Sequence, residues 1–293
     1  AASDVYKRQR RFSTNTMPRW RLAQPFRLLG HNGEINTLAG NRKAVLARTR
    51  LFESVAFMNQ SGAGWPVVHR TGSDSANLDN LMEFLVCAGL STEEALMRLI
   101  PEASGENGEL SEPSVASFYE YHAANQEPWD GPALIVYSDG RTAGALLDKN
   151  GLRPARYTIL KDGTLFLCSE AGAFPLPLDM VANNGRLGPG EIISVDLNSG
   201  AISFNDEVRR ACATLHQYDS WLQEERVQLN PQPFNDTPQL SLQSLTQQAV
   251  AVGIGAEEIG VIRSMAEDSK EPLFSMGDDA ALAILSKKPR SLF

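Results

Sequence analysis

The residues best able to do chemistry lie in three short strings. His31-Asn32-Gly33 sets a side-chain amide beside a backbone N–H. On a tight turn both can point at one oxygen, and fixed donors aimed where charge develops are what an oxyanion needs. Asn-Gly is also an ordinary turn dipeptide with positive φ, so this string alone leaves two readings open. Arg11 precedes Ser13-Thr14-Asn15-Thr16. Its guanidinium can grip a carboxylate in two parallel hydrogen bonds, or stand solvated in the basic N-terminal run. Asp74, in Gly72-Ser73-Asp74-Ser75, can pair with an ammonium group or cap a helix. The two roles are compatible, because a capping carboxylate can keep one oxygen for a ligand.

Other strings carry less. Asn150-Gly151-Leu152-Arg153-Pro154-Ala155-Arg156-Tyr157 holds two arginines that could face an anion, between a permissive glycine and a stiffening proline. It also reads as a rigid connector. Gly188-Pro189-Gly190-Glu191 is a turn before a strand, and Asp278-Asp279 a solvated acidic turn. A Ser-His-Asp hydrolase is excluded, since there is no GxSxG string. A dinucleotide site is excluded too, because Gly253-Ile254-Gly255 lacks the third glycine. Cys87, Cys168 and Cys212 form no CxxC pair, so no zinc ribbon or cysteine-ligated cluster is expected, and no metal site. Such sparse thiols suit a reducing compartment. The formal charge of −8 argues against a nucleic-acid partner. No apolar run is long enough to span a membrane.

The elements that position these strings show in the periodicity. An apolar stretch from Leu22 to Leu29 leads to the Asn-Gly turn, and a helical pattern opens at Asn36 and runs through Leu38, Val45, Leu46 and Phe52. Leu78, Leu81, Met82, Leu85 and Val86 lie on one helical face, with Ser73 or Asp74 as N-cap and Gly89 as stop. Short helices are predicted over 92–100 and around Val115 to His122. The middle of the chain predicts three hairpins: 133–138 with 142–147, 156–160 with 164–168, and 191–195 with 201–204. A closing helix is predicted over 206–226, then a proline-containing linker over 228–240 and a further helical stretch over 241–265. Hairpins flanked by helices predict an α+β sandwich rather than a doubly wound sheet.

Taken in order, Arg11-Phe12-Ser13-Thr14-Asn15-Thr16, His31-Asn32-Gly33-Glu34-Ile35-Asn36-Thr37, Gly72-Ser73-Asp74-Ser75, Asn150-Gly151-Leu152-Arg153-Pro154 and Cys168-Ser169-Glu170 resemble the class II glutamine amidotransferase domain. Within that family they are most similar to the large subunit of the glutamate synthases. The helical insert between Gly33 and Asp74 and the ending Ser275-Met276-Gly277-Asp278-Asp279 share that similarity. The resemblance implies a fold class of α+β: part of an αββα N-terminal-nucleophile sandwich, followed by the opening helices of an α/β central domain. The implied boundaries are a non-family remnant at 1–10, the amidotransferase part at 11–227, the linker at 228–240 and the start of the central domain at 241–293.

By the same resemblance, such a domain hydrolyses L-glutamine to glutamate and ammonia, and the ammonia is channelled to aminate 2-oxoglutarate. Asn32 and Gly33 would form the oxyanion hole, Arg11 would bind the α-carboxylate and Asp74 the α-ammonium. Thr14 and Asn15 would line the pocket. The family nucleophile is an N-terminal cysteine, a position none of the three cysteines offers. The expectation is therefore a fragment without its nucleophile, inactive alone and poorly soluble through an exposed apolar sheet face. No cofactor is expected in this chain; FMN and an iron–sulfur cluster are implied for the intact enzyme. The implied partners are the remaining domains of the parent chain and either ferredoxin or an NAD(P)H-oxidising small subunit. The implied location is the cytoplasm, or the plastid stroma in a plant or alga. Two alternatives are an amidotransferase of the phosphoribosylpyrophosphate type and a non-catalytic glutamine-binding module.

Overall fold

Each predicted hairpin forms. The computed structural model describes residues 7, 17, 19–48, 67–103, 112–170, 172–227 and 241–269. The strands are β1 (Leu29–Gly33), β2 (Ala133–Ser138), β3 (Thr142–Leu147), β4 (Arg156–Leu160), β5 (Leu165–Cys168), β6 (Val181–Arg186), β7 (Ile192–Asp196) and β8 (Ile202–Phe204). The hairpin turns are closed by carboxylates that take backbone N–H groups, as Asp139 does from Arg141 and Thr142 at 2.8 Å each. All pairing is antiparallel, in a five-stranded sheet ordered β1-β2-β3-β7-β8 and a three-stranded sheet ordered β5-β4-β6.

Period-2 alternation sends side chains to the two faces of the larger sheet. Along β2, Ala133, Ile135 and Tyr137 join the core beneath the helices, whereas Leu134 and Val136 join the core shared with the smaller sheet. Leu146 on β3 and Ile192 on β7 face the helices, and Ala145, Leu147 and Ile193 face the other sheet. The helical layer is α1 (Leu38–Arg48), α2 (Asp74–Cys87), α3 (Thr92–Leu99), α4 (Pro113–Ala123), α5 (Asn205–Ala213) and α6 (Tyr218–Glu225). Helix, sheet and sheet thus give an α+β layered fold.

Several expectations change. β1 reads as a turn in the sequence because two of its five residues are glycine, and β6 (VANNGR) hides because no apolar alternation marks it. The outer face of the smaller sheet carries Arg156, Thr158, Asn184 and Arg186 beside Phe166 and Cys168, so it is more polar than the expected apolar face. The closing helix over 206–226 is two helices. Thr214 Oγ1 donates back to the Arg210 carbonyl at 2.8 Å, a bond that competes with helix continuation. The break turns Tyr218 inward to 2% exposure, against Phe118 and His122 at ring-centroid distances of 5.4 and 5.1 Å.

That aromatic nest has a pH consequence. His122 is 5% exposed, its Nε2 has no hydrogen-bond partner among the described residues, and burial pushes the imidazole down to about 3. The fold favours the neutral ring, so this contribution is present above the unfolded value of about 6.5 and is lost as pH falls from there toward 3. His122→Phe should therefore show a smaller fall in melting temperature between pH 7 and pH 4.5 than the unsubstituted chain. Equal falls in both would remove His122 as a source of acid sensitivity.

The chain divides into two units at Val227/Gln228. The second contains α7 (Leu242–Ala251) and α8 (Ala256–Asp268). The single helical stretch expected there is interrupted at Gly253, whose φ of +78° ends α7. Residues 228–240 and Asp278-Asp279 lie outside the described residues.

Candidate functional site

Helix α2 holds β1 at both ends through two carboxylates of its own. Asp79, 2% exposed, accepts the N–H groups of Leu28 and Leu29 at 3.0 and 2.9 Å, and that of Arg27 at 3.3 Å. Asp74 accepts the Ile35 N–H just past the strand, Oδ2 to N 3.1 Å. The N-cap of α2 is Ser73, whose hydroxyl accepts the Ala76 N–H at 3.1 Å. Asp74 is thereby relieved of capping. Its Oδ1 takes the Ser75 N–H at 2.7 Å and hydroxyl at 3.1 Å, while Oδ2, among the described residues, takes only the Ile35 N–H. An ionised carboxylate offers about four acceptor positions, so Oδ2 keeps room for a further donor.

Asn32 and Gly33 are not on a turn. They close β1, paired with Leu134 and Ala133, and Gly33 has no positive φ. Directly opposed residues share a sheet face. Asn32 therefore stands on the face of Leu134, toward the smaller sheet, and is exposed there. Glycine is needed at 33 for close approach: a Cβ would sit 2.1 Å from the Pro132 oxygen and 2.5 Å from Ala133 Cα. The same contact continues in the Glu34 N–H, which donates to the Pro132 carbonyl at 3.1 Å. The structure thus brings Asp74 to the strand end that carries Asn32 and Gly33.

Three further side chains, none of them assigned a role from the sequence, bear on this strand end. His31 is 8% exposed, and its buried Nδ1 has no hydrogen-bond partner among the described residues. Burial lowers its pKa, Asp74 opposes the shift, and the Arg153 charge adds to it. Arg42 on α1 donates to the Gly72 carbonyl, and Asp74 partly offsets the lowering that burial imposes on its guanidinium. Arg153 belongs to the loop from β3 to β4. The sequence signal for His31 and Arg153 was the string around each; for Arg42 there was none, because a lone arginine on a helix has no signature.

Arg11, Thr14 and Asn15 lie outside the described residues. The three thiols lie on separate elements: Cys87 ends α2, Cys168 ends β5 and Cys212 is on α5. Burial pushes the Cys168 thiol up and the Cys212 thiol up to about 12, the reverse of what a nucleophilic thiolate needs. Among the described residues no group of three or more His, Cys, Asp or Glu could hold a metal ion, and no helix is long and apolar enough to cross a membrane.

Comparison with known proteins bears on this arrangement. The family described as "Glutamine amidotransferases class-II" matches residues 2–221, so the match begins ahead of Arg11. A second family, "Glutamate synthase central domain", matches residues 247–293. The ferredoxin-dependent glutamate synthase of Cyanidium caldarium is 49% identical over 286 residues, which is 97% of this chain and 18% of that protein. The ferredoxin-dependent glutamate synthase 2 of Synechocystis is 46% identical over 288 residues, and the chloroplastic enzyme of Oryza sativa 45% over 287, with the same shares. The chain spans about 18% of the length of the curated relatives it matches.

Proposed function

Because the chain belongs to the class II glutamine amidotransferases, we propose that it is the glutamine-binding part of a glutamate synthase. The observation that carries this is Asp74: relieved of helix capping by Ser73, it reaches the strand end formed by Asn32 and Gly33, where its Oδ2 accepts the Ile35 N–H and, among the described residues, no other hydrogen bond. A zwitterionic amino acid needs an anionic contact for its ammonium, a cationic one for its carboxylate, and two donors for the oxygen of a tetrahedral amide intermediate. In this reading Asp74 binds the ammonium and Arg11 the α-carboxylate. Thr14 and Asn15 line the pocket. The Asn32 amide and the Gly33 N–H receive the oxyanion. Glutamine is cleaved to glutamate and ammonia, and the ammonia serves reductive amination of 2-oxoglutarate in the parent enzyme.

None of the three cysteines is the nucleophile in this reading. They stand on three different elements, and two are raised by burial. Nor do they fit an iron–sulfur cluster, so the flavin, the cluster and the electron donor (ferredoxin, by the names of the relatives) act through other parts of the parent chain. The domain limits in this reading are 11–227 for the amidotransferase part and 241–293 for the start of the central domain, with a linker between. The compartment is the plastid stroma or the cytoplasm.

Two measurements test it. L-Glutamine titrated into the chain should give a binding isotherm, and its absence would overturn the reading. Incubation with glutamine should release no ammonia above a protein-free blank. If ammonia does appear, and the triple change of Cys87, Cys168 and Cys212 to Ala abolishes it, one of these thiols is a nucleophile after all.

A further inference from the structure

The loop from β3 to β4, residues 148–155, carries the sequence from the larger sheet to the smaller one and so crosses the end of the gap between them. It leaves the larger sheet beside the proposed site. Asp148 donates its N–H to the Ala133 carbonyl and takes the Ala133 N–H on Oδ1, both at 3.0 Å, and Ala133 is the register partner of Gly33. The Asn32 side chain stands on the same inter-sheet face. The loop is therefore next to the reacting end of the site, whereas Asp74 approaches from the helical layer.

The loop is held from several sides. The buried Asp148 carboxylate also takes the Asn150 N–H and side-chain amide, at 2.8 and 2.6 Å. Its carbonyl accepts the N–H groups of Gly151 and Gly190, each at 3.0 Å. Gly151 has a φ of +64°, and a Cβ there would lie 2.5 Å from Pro189 Cγ. Gly190 is itself pinned by Arg209 on α5, which donates to its carbonyl at 2.7 Å and pairs with Glu102 at 2.7 Å.

This scaffold presents Arg153. The side chain is half-buried, yet it makes no hydrogen bond or ion pair among the described residues. The other partly or fully buried arginines among the described residues all have partners: Arg48, Arg98 and Arg209 pair with carboxylates and Arg42 donates to the Gly72 carbonyl. A guanidinium withdrawn from water without a partner is costly unless something else satisfies it. Arg153 is also close enough to His31 for its charge to help keep that imidazole neutral, which places it within electrostatic reach of β1.

We propose that Arg153 is a further ligand-binding residue of this site, one that meets the side-chain end of the bound amino acid and recognises the γ-carboxylate of glutamate, the hydrolysis product. The inference rests on the glutamine-site reading above and adds to it a contact that distinguishes product from substrate. Glutamine presents one neutral carbonyl oxygen to Arg153, whereas glutamate presents a carboxylate of opposite charge whose two oxygens match the guanidinium fork in two parallel bonds. The α-carboxylate, common to both ligands, is left to Arg11.

The test is calorimetry of L-glutamate and L-glutamine on the chain and on Arg153→Met. The expected result is at least a tenfold weaker Kd for glutamate with less than a threefold change for glutamine. Arg153→Lys keeps the charge but not the fork, and should give a glutamate loss between the two. Equal effects on both ligands, or none on either, overturn the assignment. If Arg153→Met fails to melt cooperatively, the Lys variant decides alone by the ratio of its two Kd values, and an unchanged ratio overturns the proposal. An unsubstituted chain that binds neither ligand overturns the glutamine-site reading itself, a separate outcome.

Discussion

Asp74→Asn should weaken L-glutamine binding at least a hundredfold, the largest single-residue effect expected at this site. The substitution is isosteric and removes only the charge that would meet the ligand ammonium. Removing one partner of a hydrogen-bonded charge pair out of bulk water costs about 2–5 kcal/mol, and a hundredfold is about 2.7 kcal/mol. The structural cost should be much smaller. The Ser73 hydroxyl caps α2 and the three bonds of Asp79 hold the start of β1, so the structural loss is confined to the Ile35 and Ser75 bonds, at about 1 kcal/mol, and to the attraction of the Asp74 charge for Arg42 and His31. Ser73→Ala provides the opposite pattern: loss of the cap costs about 1 kcal/mol of stability with glutamine affinity nearly intact. Calorimetry and melting on both variants separate the two functions that the sequence left merged in adjacent residues. Unchanged glutamine affinity in Asp74→Asn would take Asp74 out of the pocket.

What the sequence could and could not show follows from where each signal lives. The hairpins were legible because an Asp or Asn followed by Gly has a local mechanism, a side-chain bond to the next N–H groups, that owes nothing to the rest of the fold. Helix α2 was legible because five apolar residues lie on one face. β1 was not, because a strand with two glycines and an Asn-Gly end carries the local signature of a turn; its strand conformation is imposed by pairing with β2, about a hundred residues later, and by the two α2 carboxylates. The break before Tyr218 was hidden too: the Thr214 bond to the Arg210 carbonyl leaves no mark in the apolar pattern, and the Tyr218 contacts with Phe118 and His122 reach about a hundred residues back along the chain. Site residues followed the same rule. Asp74 and Asn32 stood in strings with chemistry of their own. Arg42 had no such string, and for Arg153 the rigid connector and the anion contact could not be separated until the loop was seen crossing between sheets.

Gly33→Ala is the second large effect, and it tests the backbone rather than a charge. The added methyl would lie 2.1 Å from the Pro132 oxygen and 2.5 Å from Ala133 Cα. Both are backbone atoms, so no side-chain rotation can relieve the contact, and β1 must move off β2 at its last pair. Overpacking of this kind costs about 1–3 kcal/mol. In a domain of this size that lowers the melting temperature by roughly 2–4 °C per kcal/mol. The Asn32 amide and the residue 33 N–H ride on the displaced segment, so the donor pair should lose its common target as well. Gly40→Ala on α1 is the control: nothing lies within 4 Å of its Cβ position, and Ala is the better helix former by about 1 kcal/mol. Melting should thus fall by several degrees for Gly33→Ala and hold or rise for Gly40→Ala. Glutamine binding should change little in either, because Asp74 and Arg11 carry the ground-state contacts. Catalysis in the parent enzyme is where the donor pair acts: losing one such donor there costs about 10²–10³ in rate. Gly33→Ala melting together with the unsubstituted chain would mean that β1 and β2 are not in the close register on which the oxyanion assignment depends.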